Sequence, residues 1–259
     1  MTVTSARLQG KRAFVTGAGT GIGRAVAVRF AEEGASVGLF GRRQEPLEET
    51  AAIIRGAGGT CLVTPCDVSS EGQVVTAVAT ITEAFGGLDT VVGVAGIELM
   101  GVGDDRIDRL DLSIWQQTID VNLTGMFLTC KHGTRALLES GGGSITITGS
   151  PCGLLGFCSD QAAYSAAKSG THGLVRGMAA DLAAEHIRVN CVVPGFIATP
   201  LTSQVFDDPA WLGSLEKMIP MHRAGQPEEV AGMYAWLASD DASYVTGAFF
   251  TVDGGETAV

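Results

Sequence analysis

The chain has 259 residues, enough to bury a large core, and its 17% charged residues and 36 glycines describe a folded chain with many tight turns, not a disordered one. A formal net charge of −11 argues against nucleic acid as a partner, because phosphate binding needs clustered Lys and Arg. The first residues, MTVTSARLQGKR, lack an apolar leader core and no apolar run reaches the ~18 residues of a membrane span, so no membrane association and a cytoplasmic location are expected.

In chain order, the first strand expected is Arg12–Thr16, followed by Gly17-Ala18-Gly19-Thr20-Gly21-Ile22-Gly23 and a helix. On that helix Ile22, Val26 and Phe30 recur every four residues and form one apolar stripe, which Gly34 ends. Further strands are expected at Val37–Phe40, Thr60–Thr64, Thr90–Val94, Ser144–Thr148, Arg188–Val193 and Ala248–Val252, with long helices over Ser113–Glu139 and Ala162–Glu185. Strands separated by helix-length crossovers imply an α/β fold, a parallel sheet covered on both faces. No repeat or linker divides the chain, so one domain over residues 1–259 is expected. Within it Ile197–Gly225 departs from the alternation, with three prolines and the scattered Phe206 and Trp211, and reads either as a substrate lid or as a surface excursion. Cys61, Cys66, Cys130, Cys152, Cys158 and Cys191 form no C-x-x-C pair and have no His cluster beside them, so reduced thiols and no metal site are expected.

A glycine cluster between a first strand and a helix suits a pyrophosphate, since the backbone turns tightly there and the helix presents free N–H groups. At the end of the second strand, an acid accepting a ribose 2′-hydroxyl is the usual mark of NAD. Here Gly41, Arg42 and Arg43 stand instead, and two guanidinium groups match a 2′-phosphate, so NADP(H) is expected over NAD(H). Tyr164 and Lys168 lie four apart on one helix face, where an ammonium favours ionisation of a phenol that ordinarily titrates near ~10. Ser150 follows the strand Ser144–Thr148 at the carboxyl edge, where open α/β sheets bind ligands, with Thr148 as the alternative hydroxyl. His132, His172, His186 and His222 are dispersed and have no triad partner by spacing.

Taken together, these residues resemble the short-chain dehydrogenase/reductase family over nearly the whole chain. The resemblance includes Asp67-Val68, Asn122 in Asp120-Val121-Asn122-Leu123-Thr124-Gly125, Pro194-Gly195-Phe196-Ile197-Ala198-Thr199, Arg223-Ala224-Gly225-Gln226-Pro227-Glu228-Glu229-Val230 and Val252-Asp253-Gly254-Gly255. It implies a single doubly wound Rossmann-type domain with a seven-stranded parallel sheet. It also implies roles: Tyr164 transfers the proton to or from the substrate oxygen, Lys168 lowers the Tyr164 pKa and holds the nicotinamide ribose, and Ser150 hydrogen-bonds the substrate oxygen. Asn122 would hold a water linking Lys168 to solvent. Gly17, Thr20, Gly21, Ile22 and Gly23 would hold the phosphates, Asp67 and Val68 the adenine, Ala95 and Gly96 the adenosine ribose, and Pro194, Gly195, Ile197 and Thr199 the nicotinamide half. Two departures stand out. Gly93-Val94 replaces the family's Asn-Asn, which removes a side-chain link between central strands, and the Ser150-to-Tyr164 interval is one residue longer than is common.

The reading is therefore an NADP(H)-dependent carbonyl reductase or alcohol dehydrogenase acting on a ketone or secondary alcohol. Leu99, Met100, Leu154, Leu155, Phe157, Phe206 and Trp211 point to an apolar substrate wall. The alternatives are an NAD-dependent alcohol or hydroxysteroid-type dehydrogenase and, in another class, a non-catalytic nucleotide-binding regulator. The resemblance implies a homo-oligomer, tetramer or dimer.

Overall fold

A computed structural model describes residues 6–156, 159–203, 213–214 and 217–258. Seven parallel strands lie in the order β3-β2-β1-β4-β5-β6-β7. They are β1 Arg12–Thr16, β2 Ser36–Gly41, β3 Thr60–Pro65, β4 Thr90–Gly93, β5 Gly143–Thr148, β6 Ile187–Pro194 and β7 Phe249–Val252. Each matches its expected segment to within a residue at either end, because apolar, β-branched runs are bounded by polar turns; the central strands are buried, while the edge strands β3 and β7 are half-buried.

Side chains alternate across the pleat into two cores. Val15, Val37, Leu39, Val92 and Val192 meet α1 (Gly21–Glu32), α2 (Gln44–Gly56) and α7 (Pro227–Ala238) through Val26, Phe30, Leu47, Ile54 and Tyr234. Phe14, Phe40, Val91, Ile145, Ile147 and Val189 meet α3 (Glu71–Phe85), α5 (Gly125–Glu139) and α6 (Ala162–Leu182) on the other face. The stripe read from the sequence is confirmed at Val26 and Phe30, both fully buried, while Ile22 is half-buried at the mouth of the crevice.

The chain reverses direction across the sheet between β1, which pairs with β2, and β4, which pairs with β1 and β5. That switch opens a crevice beyond the carboxyl ends of the strands. The long helix expected over Ser113–Glu139 is interrupted: α4 (Leu112–Ile119) passes into one π turn, Asp120–Thr124, before α5. The turn is sealed by Gly125 N–H donating to the Asp120 carbonyl, and it holds Asn122. The excursion from Ile197 to Gly225 is closed at its base, where Ala198 N–H donates to Gly225 O at 2.9 Å and Gly225 N–H to Phe196 O at 2.9 Å. Phe157, Cys158, Phe206 and Trp211 lie outside the described residues. Cys61, Cys66, Cys130 and Cys191 are free thiols. Cys152, in the turn after β5 at the crevice wall, is disulfide-bonded, which corrects the expectation of reduced thiols throughout. Packing shields Cys66, Cys130 and Cys191, whereas that turn leaves Cys152 half-buried.

Candidate active site

The glycine loop is shaped by contacts that no other residue tolerates. Gly17 has φ +70°, and a Cβ there would approach Ala95 N to 3.0 Å; at Gly23 a Cβ would collide with the Gly17 carbonyl. Helix α1 then begins at Gly21 with no side-chain cap from Thr20 and no acid in its first turn, so its N–H groups and positive end remain available to an anion. Two residues outside the motif hold the loop in place: Thr50 Oγ1 donates to Ala18 O at 2.9 Å, and Arg24 Nε donates to Gly19 O at 2.9 Å. Nothing in the local sequence marks either one, because each acts across the packed α1–α2 interface.

Gly17, Thr20, Gly21, Ile22, Gly23, Ala95, Gly96, Pro194, Gly195, Ile197 and Thr199 all line one cavity of about 760 Å³, together with Asn122, Ser150, Tyr164 and Lys168. Asp67 and Val68 line an adjoining recess with Gly41, Arg42 and Arg43. The volume is in the range of ligand clefts, and the open helix end and glycine cradle fit a dinucleotide. Arg42 and Arg43 are exposed at its rim, and neither has an ion pair or hydrogen bond among the described residues.

The missing amides of β4 are replaced by two threonines. Thr16 Oγ1 accepts from Val94 N at 3.0 Å and Ala95 N at 3.1 Å, while Thr148 Oγ1 donates to Gly93 O at 2.7 Å. The Met126 thioether occupies the space a side chain at position 93 would need. Thr148 also shares a hydrogen bond of 2.6 Å with Tyr234 Oη, so its hydroxyl is turned into the core, and the geometry favours Ser150 as the crevice hydroxyl.

Ser150 caps the short 3₁₀ turn Pro151–Gly153, its Oγ accepting from Cys152 N at 3.3 Å. Its own N–H donates to Nε2 of the buried His172 at 3.4 Å. Burial lowers the His172 pKa to about 4, so the ring is a neutral acceptor at physiological pH. The Ser150 hydroxyl faces Tyr164 closely enough to favour the phenolate, but burial, reinforced by the Glu98 carboxylate, dominates and raises the phenol above its ordinary range. Burial acts oppositely on Lys168 and lowers its pKa to about 8. Its Nζ donates to Thr148 O at 3.0 Å and lies 5.5 Å from the Tyr164 ring centre. The expected lowering of the Tyr164 pKa by Lys168 is therefore not what this geometry produces: the ammonium is turned toward a carbonyl, and desolvation outweighs it.

Helix α6, which carries both residues, is capped by a carboxylate distant in sequence. Asp104 accepts from Ala163 N at 3.1 Å and Tyr164 N at 2.9 Å. Asn122 is buried, and both of its polar side-chain atoms bond the Ile97 backbone, at 2.8 Å each. The side chain is thus a brace for the loop after β4, and the expected water link to Lys168 would have to use its main chain. His132 pairs with Glu71 on the α3–α5 face, and His186 closes the 3₁₀ turn after α6 in a left-handed conformation; neither lines the cavity. Among the described residues no group of His, Cys, Asp and Glu could hold a metal ion, and no helix is long and apolar enough to cross a membrane.

The sequence profile described as enoyl-(acyl carrier protein) reductase matches residues 17–257. The chain belongs to the short-chain dehydrogenase/reductase family. It is 38% identical to 3beta-hydroxysteroid dehydrogenase 1 of Eggerthella lenta, over 96% of this chain and 95% of that one. It is 36% identical to cyclohexanol dehydrogenase of an Acinetobacter species, over 98% of each chain. Among solved structures, a gluconate 5-dehydrogenase from Burkholderia cenocepacia J2315, in complex with NADP and tartrate, superposes with a TM-score of 0.92 at 32% identity over 100% of both chains. A short-chain type dehydrogenase/reductase from Mycobacterium marinum gives 0.90 at 36%, also over 100% of both. This member of the short-chain dehydrogenase/reductase family is accordingly an oxidoreductase with a Rossmann-type sheet, and its relatives include dehydrogenases of alcohols and hydroxy compounds.

Proposed function

We propose that the enzyme interconverts a ketone and a secondary alcohol with NADP(H). The observation that carries this reading is the convergence of Tyr164, Ser150 and Lys168 on one cavity whose far rim holds two arginines, unpaired among the described residues, and no acid in the place that marks NAD. A bound nicotinamide supplies the hydride donor or acceptor. The chain supplies the rest. Tyr164 Oη donates its proton to the carbonyl oxygen in reduction and takes it back in oxidation, and Ser150 Oγ donates a hydrogen bond where negative charge develops. Lys168 is the proton reservoir behind the phenol, and the Asn122 main chain at the π turn is its route to solvent. Arg42 and Arg43 bind the 2′-phosphate, Asp67 and Val68 the adenine, and the glycine loop the pyrophosphate.

The chain acts as one dinucleotide-binding unit, and the segment 197–225 contributes Ile197, Thr199, Leu201 and Met218 to the substrate end of the cavity. It assembles as a cytoplasmic tetramer or dimer, a reading supported by the exposed Phe127 and Leu138 on α5. Initial rates with NADPH and NADH on a ketone panel test the proposal. Tyr164→Phe is expected to lower kcat by about 10²–10⁴-fold while NADPH binding, read by fluorescence, persists. Turnover that survives this substitution contradicts the mechanism.

A further inference from the structure

The cavity beside Tyr164 contains a carboxylate that the proton-transfer machinery does not use. Glu98 follows Gly96-Ile97 on the loop after β4 and lines the same cavity as Ser150 and Tyr164. Its Oε1 accepts from Nε2 of Gln161 at 2.9 Å. Gln161 is 6% exposed and is held in turn beside Met100, its Nε2 2.7 Å from Met100 Sδ. The second oxygen, Oε2, has no hydrogen bond among the described residues, and no cation lies within ion-pair distance of Glu98 among them. Asp104, the neighbouring carboxylate, is spent on capping α6. The same cavity is also lined by the apolar side chains of Met100, Phe196, Ile197 and Met218.

A half-buried acceptor with an open lone pair discriminates among ligands. A substrate that covers it without offering a donor strips its water and returns nothing, whereas one that donates a hydrogen bond satisfies it. The donor is further restricted by charge. A carboxylate or phosphate on the substrate would meet Glu98 and Glu256, which also lines the cavity. An ammonium would stand beside the buried Lys168. A neutral hydroxyl meets neither objection.

From this arrangement, and resting on the oxidoreductase reading above, we infer that Glu98, positioned by Gln161, is a specificity-determining residue that binds a second hydroxyl on the substrate, so that the preferred substrates are neutral diols and hydroxyketones rather than simple alcohols and ketones. The apolar wall takes the carbon skeleton, Tyr164 and Ser150 take the oxygen on the reacting carbon, and Glu98 takes the neighbouring hydroxyl.

The test is kcat/KM with NADP⁺ for cyclohexanol and for cyclohexane-1,2- and 1,3-diol, using the wild type, Glu98→Gln and Glu98→Leu. The wild type is expected to favour the better diol by about ten- to a hundredfold, the range for a hydrogen bond to a charged group. Glu98→Leu abolishes that preference, and Glu98→Gln, which keeps an acceptor but not the charge, reduces it. NADPH binding by fluorescence confirms that each variant is folded, and the near-isosteric Glu98→Gln keeps the test intact if Glu98→Leu does not fold. A wild type that treats cyclohexanol and the diols alike, or variants that leave the ratio unchanged, overturns the inference. A wild type that binds NADPH but oxidises none of the alcohols overturns it as well. A wild type that binds neither NADPH nor NADH overturns instead the functional reading on which it rests.

Discussion

Replacing Lys168 by Met separates the energetic consequence of burying this lysine from its chemistry. Lys168 is 4% exposed and its pKa falls from 10.5 to about 8, chiefly through burial. Because the folded pKa is lower than the unfolded one, the unfolded chain binds more protons between pH 8 and 10.5, and stability rises with pH across that window. At pH 7 the burden is fully present, at about 3 kcal/mol; by pH 9.5 it shrinks to about 1 kcal/mol. Removing the ammonium also leaves the Thr148 carbonyl without its donor, a loss of about 1 kcal/mol. Lys168→Met is therefore expected to stabilise the fold by about 2 kcal/mol at pH 7 and by nearly nothing at pH 9.5, while abolishing turnover. Urea denaturation of both proteins at pH 7, 8 and 9.5 measures the difference, from which the other titrating groups cancel. A wild-type-minus-variant difference that stays flat across this range refutes the reasoning, since it would mean that the lysine is not desolvated in the folded state.

Arg42→Asp is expected to lower kcat/KM for NADPH by about ten- to a hundredfold while leaving or raising that for NADH, because it exchanges a phosphate partner for a hydroxyl partner; equal losses with both nucleotides would remove Arg42 from the 2′-phosphate site. Asp104→Ala uncaps Ala163 and Tyr164, with an expected loss of about 1–2 kcal/mol in urea melts and a fall in kcat at unchanged NADPH affinity. In ketone reduction, kcat/KM should fall as pH rises through about 8, where Lys168 loses its proton, and Lys168→Arg should move that limb to higher pH.

What the sequence discloses is local. Short β-branched runs at Arg12–Thr16 and Ser144–Thr148 mark strands, the glycines before Ile22 mark a phosphate turn, and a Tyr–Lys interval of four marks one helix face. The contacts that make the site work are not local. Asp104 caps a helix that starts about sixty residues later, Asn122 reaches back to Ile97, and Thr148 with Met126 fills the place of amides lost from β4. Position 93 shows why a motif departure is hard to read alone: the glycine looks like a lost brace, yet β1 and β5 each supply a threonine that restores it. The π turn at Asn122 is equally hidden, since the sequence pattern over Ser113–Glu139 reads as uninterrupted helix and nothing local marks the turn. The protonation states are beyond any spacing argument, because burial, not the neighbouring charge, decides them.

That last point bears on the proton transfer. In this site burial holds Tyr164 as a neutral phenol and weakens Lys168 as a cation, and Glu98 pushes the phenol further the same way. Reduction of a carbonyl needs the acid; oxidation of an alcohol needs the phenolate, whose formation here works against both desolvation and a nearby carboxylate. The proposed NADP(H) preference rests on Arg42 and Arg43 at the far rim of the same cavity. A substrate hydroxyl donated to Glu98 would satisfy the carboxylate that otherwise pushes the phenol upward.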